Sequence, residues 1–121
     1  MALTLADYEV LFHGSEFLNG INNSNRLFLR WDPPSSFVPG TSKAKPYLTW
    51  QMWISEPGGY QVLLNGAPVH SRSPVVAGQV HTASHFLDGN ALARGANIEF
   101  RAFSGCKLRV EAVMMHFQQR R

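Results

Sequence analysis

The chain has a single cysteine, Cys106, in 121 residues. That excludes an intramolecular disulfide and any zinc site built on two thiolates. Charge is also scarce: Asp, Glu, Lys and Arg make up 16% of the residues, below the usual quarter. Nothing in the spacing of the eight carboxylates selects a pair that would converge in a cleft for glycosidic acid–base work. There is no Gly-rich phosphate loop and no nucleophile elbow. An enzymatic role is therefore not expected, and neither is a cofactor. No apolar run approaches the ~20 residues that span a bilayer, so no membrane partner is expected. The N-terminus has no positive n-region and turns acidic at Asp7. The expectation is synthesis in a reducing cytoplasm, without a signal peptide.

The net charge of +3 is small, and no run of five Lys or Arg residues occurs. Nucleic-acid binding requires a clustered basic face and is not expected. No stretch keeps a 3.6-residue apolar period beyond two turns, and there is no internal repeat. Helical bundles, solenoids and propellers fall away.

What is present is alternation. Leu27, Leu29 and Trp31 share one strand face. Leu48, Trp50, Met52 and Ile54 share another, with Tyr47, Thr49, Gln51 and Trp53 opposite. Val62 and Leu64 precede Asn65-Gly66, a strong hairpin signal. Ile98, Phe100 and Ala102 alternate up to the Ser104-Gly105 turn. Leu108, Val110, Ala112 and Met114 then continue the inward phase. Residues 35–46 read as a long loop, and Leu3 to Leu11 as a short helix or a strand. Short strands punctuated by Gly, Pro and Asn predict an all-β fold, an antiparallel β-sandwich of the jelly-roll kind. The length predicts one domain over residues 1–121, with a candidate N-terminal arm at 1–20 and a short tail at 118–121.

Histidine is the remaining source of chemistry. His81 and His85 are spaced i, i+4, a metal pair only on a helix. On a strand they share a face but lie ~13 Å apart. No metal site is therefore assigned. Cys106 reads as a small buried hydrophobe.

The stretch Leu92-x-x-Gly95-x-x-Ile98-x-Phe100, followed by a turn and a closing apolar strand, resembles the C-terminal half of tumour-necrosis-factor-like and complement-globular-head jelly rolls. Glu56-Pro57-Gly58-Gly59-Tyr60-Gln61-Val62 resembles the lead-in to a central strand of those families. The likeness covers about residues 47 to 117, and Ala96 stands where an aspartate usually follows the glycine. It implies a jelly roll assembling as a homotrimer, of the kind seen in bacteriophage head decoration proteins.

Trp53, Tyr47, Phe28, Phe103, Met115 and Phe117 fall opposite the assigned core. Either a second layer covers them or they form a subunit interface, where aromatics and Met are enriched. The function expected on this basis is a small capsid decoration (cement) protein located in the virion. Its partners would be the major capsid protein or another virion protein. The partner interface would draw on Tyr8, Phe12, Phe17, Phe37, Trp53, Phe117, Arg120 and Arg121. The alternative is a carbohydrate-binding lectin or receptor-binding head. It would use exposed Trp or Tyr beside the Asn19–Asn25 loop and Asp88-Gly89-Asn90.

Overall fold

A computed structural model describes residues 4–22, 25–40 and 45–120. Its elements in chain order are β1 (Thr4–Asn19), β2 (Arg26–Trp31), β3 (Phe37–Val38), β4 (Tyr47–Glu56), β5 (Gly58–Leu64), β6 (Ala67–Val75), β7 (Gln79–Phe86), α1 (Gly89–Leu92), β8 (Ala96–Phe103) and β9 (Lys107–Arg120). They form two antiparallel sheets. One runs β1-β9-β4-β7, with β3 also on β9, and the other runs β2-β8-β5-β6. The chain crosses between the sheets at every step but β3 to β4 and β5 to β6, which makes the fold a jelly-roll β-sandwich.

Both predicted turns form, but only Asn65-Gly66 closes a hairpin, between the paired strands β5 and β6; Ser104-Gly105 carries the chain from β8 in one sheet to β9 in the other. Asn65 and Gly66 have φ of 52° and 86°, and Ser104 and Gly105 have 54° and 76°. At Asn65-Gly66 two successive positive φ values make the turn whose twist matches the antiparallel pair β5 and β6. The Leu92-to-Phe100 motif also gains a physical meaning. Leu92 is fully buried at the end of α1, Gly95 turns the chain at φ 92°, and Ala96, Ile98 and Phe100 enter the core from β8. Asp88 starts α1 by accepting a hydrogen bond from the Asn90 backbone N at 3.0 Å.

The core sits between the sheets. Leu48, Trp50, Met52 and Ile54 fill it from one side, and Val62, Ile98 and Phe100 from the other. The closing strand departs from the simple alternation. Gln51 pairs with Ala112 but Met52 pairs with Val110, so Glu111 is an extra residue in β9. One inserted residue reverses the phase of everything after it. Val113, Met115 and Phe117 therefore point inward, while Ala112 and Met114 do not share the inward phase of Leu108 and Val110. Met115 and Phe117, expected on the outer face, belong to the core. Phe117 meets Trp31 with ring centroids 5.3 Å apart, and Phe37 packs on the same indole at 5.3 Å.

The chain ends differ from expectation as well. Residues Thr4–Asn19 are not an arm. They pair along nearly the whole of β9, with shifts after Val10 and His13. Gln118 to Arg120 are not a loose tail, since they pair with β1 and two of them also pair with β3. The long 35–46 loop contains β3, and its residues 41–44 lie outside the described residues, as do Arg121, Asn23 and Ser24.

Candidate functional site: the outer face of the larger sheet

Each sandwich sheet has an outer face. On the five-stranded sheet, paired residues project from the same side. Tyr8 pairs with His116, His116 with Tyr47, and Tyr47 with Phe86. These side chains form one row across β1, β9, β4 and β7. Tyr47 stacks on His116 with centroids 4.4 Å apart and planes 5° apart. Phe86 meets Tyr47 edge-on at 5.8 Å, and Tyr8 lies 6.1 Å from His116. The ends of the row stay open, with Phe86 67% and Tyr8 60% exposed.

A second row crosses the same strands near their other ends. Phe17 pairs with Arg109, Arg109 with Trp53, and Trp53 with Val80. Phe17 is 54% exposed and Val80 51%. The two rows stand six residues apart on β4, about 20 Å at strand rise. Between them lies a shallow trough of about 430 Å³ whose lining includes Thr49, Gln51, Thr82, Ser84, Ala112 and Met114. Thr49 Oγ1 sits 3.0 Å from His116 Nε2, which ties the polar floor to the aromatic row. Burial pushes the His116 imidazole below its ordinary value of 6.5, so the ring is neutral near pH 7. The face thus offers flat rings at two ends and short hydroxyl and amide groups between them.

The residues singled out from sequence divide. Tyr8 stands in the first row of this face, and Phe17 and Trp53 stand in the second. Phe12 is half-buried and packs against the core, because the shift after Val10 turns it inward. Phe37 is half-buried against Trp31, and Phe117 is 7% exposed. Arg120 is exposed at the end of β9, and Arg121 lies outside the described residues. His116 and Phe86 were missed. Phe86 shares a face of β7 with Ser84 and Thr82, which was the available signal. His116 was hidden by the phase reversal at Glu111.

The outer face of the smaller sheet is different in kind. Glu99 is nearly covered and holds Arg101 at 2.9 Å and Arg26 at 3.7 Å. Phe103 lies across Gly59, where an added Cβ would collide with its ring. Most charge on this face is already paired.

The open flank between the edge strands β6 and β7 holds a further cluster. Trp50 Nε1–H donates to Tyr60 Oη at 3.1 Å, and Tyr60 Oη lies 2.7 Å from His81 Nε2 and 3.4 Å from His70 Nε2. His70 Nδ1 lies 3.4 Å from His85 Nδ1. Burial, with the charges of His85, His81 and Arg72, pushes His70 down; burial and Arg72 do the same to His81. A histidine whose folded pKa is lowered binds fewer protons folded than unfolded. Stability is then full above the ordinary 6.5 and falls as pH drops below it. Melting curves between pH 8 and 5 should show Tm decreasing below about pH 6.5. The slope should flatten in the His70→Gln, His81→Gln double variant. A Tm that is flat or rises on acidification would show that the cluster does not resist protonation.

Among the described residues, no group of three or more His, Cys, Asp or Glu side chains is arranged to hold a metal ion. Burial pushes the Cys106 thiol up to about 11, which keeps it protonated and unreactive.

No family model matches the chain, and no curated protein matches it in sequence. Solved structures do match in shape. Dimeric latent PorU from Porphyromonas gingivalis superposes with a TM-score of 0.63 at 8% identity, covering 98% of this chain and 13% of that one. The chain thus spans about an eighth of the length of that protein. The CBM36-1 domain of a multidomain xylanase from the hindgut metagenome of Trinervitermes trinervoides gives 0.55 at 7% identity, covering 90% and 96% of the two chains. A family 35 carbohydrate binding module from Clostridium thermocellum gives 0.49 at 9% identity, covering 93% and 90%. What the CBM36-1 domain shares with this chain is the fold alone, a jelly-roll β-sandwich. The jelly-roll kind of the sequence resemblance holds, while no tumour-necrosis-factor-like or phage decoration protein stands among these neighbours.

Proposed function

We propose that the protein is a carbohydrate-binding module that takes an oligosaccharide on the outer face of the five-stranded sheet. One observation carries this reading: the aromatic row Tyr8–His116–Tyr47–Phe86 beside a polar floor. The C–H groups on a pyranose face pack on aromatic rings. Its hydroxyls need short donors and acceptors alongside. Thr49, Gln51, Thr82 and Ser84 supply them. The row crosses four strands, about 14 Å at sheet spacing, which suits a short stretch of polysaccharide. The carbohydrate-binding architecture of the neighbouring CBM36-1 domain is compatible with such a surface. Binding without chemistry also agrees with the scarcity of convergent carboxylates.

The shell-decoration reading and its trimer rested on the family resemblance, the absence of chemical groups and six residues assigned to an outer face. Two of those six, Met115 and Phe117, are in the core. The outer face keeps apolar Val10 and Val80, each 51% exposed, and the polar floor between its two rows is what favours a sugar over an apolar protein seam.

Affinity electrophoresis in gels containing xylan, glucan, mannan or galactan should retard the protein in at least one polymer. Tyr47→Ala and Phe86→Ala should each weaken the best ligand at least about tenfold, or 1.4 kcal/mol. Their melting temperatures should stay close to the parent, because both rings lie on an outer face. No retardation by any neutral or acidic polysaccharide would overturn the proposal. So would equal retardation of the parent and both variants.

A further inference from the structure

The His70–His85 contact lies on the β6–β7 flank, away from the aromatic face and independent of the sugar-binding reading. We propose that His70 and His85 form a two-histidine site for a first-row transition-metal dication that links the edge strands of the two sheets.

The hydrogen-bond network argues for it. Tyr60 Oη accepts the Trp50 indole N–H, and its single proton goes to the short contact, His81 Nε2 at 2.7 Å. The Tyr60 oxygen is then left only with accepting capacity toward His70. The His70 proton therefore sits on Nε2, facing Tyr60 at 3.4 Å. His70 Nδ1 is left as a bare lone pair aimed at His85 Nδ1. Without a metal, His85 donates its own Nδ1 proton across the gap. With its proton moved to Nε2, two lone pairs face each other 3.4 Å apart. Two nitrogens at zinc-bond length in a tetrahedral shell stand about 3.3–3.4 Å apart. The Nε2–H of His70 on Tyr60 is also the outer contact that a ligating imidazole ordinarily makes.

Both rings are half-buried rather than sealed, so water completes the coordination. Two nitrogen ligands and no third side chain make the site open and of modest affinity. Arg72, whose charge acts on His70, opposes a dication there. Imidazole donors suit Cu²⁺, Ni²⁺ and Zn²⁺, with Cu²⁺ tightest in the general order.

The test uses the full chain titrated with ZnCl₂, NiCl₂ and CuSO₄, by calorimetry and by tryptophan fluorescence. One equivalent should bind saturably. Cu²⁺ should quench Trp50, whose ring lies 4.9 Å from His70. Zn²⁺ should raise Tm, since a ligand of the folded state alone stabilises it. His70→Ala and His85→Ala should abolish this binding, whereas His13→Ala should keep it. Tyr60→Phe should weaken it about tenfold or more, and Arg72→Gln should tighten it. Imidazole ¹⁵N spectra of the parent protein need no variant to fold: Zn²⁺ should move the Nδ1 signals of His70 and His85 together. Absence of binding at millimolar Zn²⁺, Ni²⁺ and Cu²⁺ would overturn the site. So would binding unchanged in His70→Ala, or Zn²⁺ shifts confined to other histidines.

Discussion

Met115→Asp should yield no stably folded protein, while Met114→Asp should fold with a nearly unchanged Tm. Met115 is completely buried in the core, whereas Met114 lines the trough on the outer face. An unpaired carboxylate in an apolar interior costs several kcal/mol or forces the group to stay protonated. That is comparable with the whole stability of a domain this size, about 5–15 kcal/mol. A solvent-facing substitution is usually worth less than about 0.5 kcal/mol. The contrast between adjacent methionines is a direct reading of the Glu111 bulge. Strict alternation from Leu108 would place Met114 inside and reverse the two outcomes. Soluble expression and thermal melts of the pair decide it. A folded Met115→Asp beside an unfolded Met114→Asp would remove the bulge from the account.

Trp31→Ala should lower stability by about 3–5 kcal/mol, as large-to-small changes of buried aromatics do. Trp31 is 1% exposed and holds Phe37 and Phe117 against its ring. Its indole N–H donates to Glu9 Oε2 on β1, across the flank opposite the histidine cluster. Trp31→Phe separates the two contributions. It keeps much of the packing and removes the bond to a carboxylate, worth about 1.5–3 kcal/mol. Urea titrations of the three proteins measure both steps. A Trp31→Ala midpoint equal to that of the parent would mean the ring does not close the sandwich edge.

The fold was legible because its signals are local. Alternation in Leu48 to Ile54 and Ile98 to Ala102, and the two turns, are written within a few residues of where they act. The bulge was not legible. Glu111 differs from its neighbours in no way that marks it as unpaired, and the shift exists only relative to Gln51 and Met52 on another strand. That single residue hid His116 on the outer face and misplaced Met115 and Phe117. The site was partly legible. Tyr47 and Trp53 read as facing away from the core and Tyr8 and Phe17 as candidates for a partner interface, but the row emerges only when four strands are set side by side. The histidine cluster shows the same limit. His81 and His85 both lie on β7, four residues apart. The group that joins them, His70 with Tyr60, comes from the other sheet.

The proposed sugar site is the outer face of the five-stranded sheet. The most direct measurement is ¹H–¹⁵N and aromatic ¹H–¹³C chemical-shift mapping of the protein with the oligosaccharide of its best polysaccharide. Shifts should concentrate at Tyr8, Tyr47, Thr49, Gln51, Ser84, Phe86 and His116. Shifts centred on Phe28 and Arg30, or on the Asn65-Gly66 and Ser104-Gly105 turns, would contradict it.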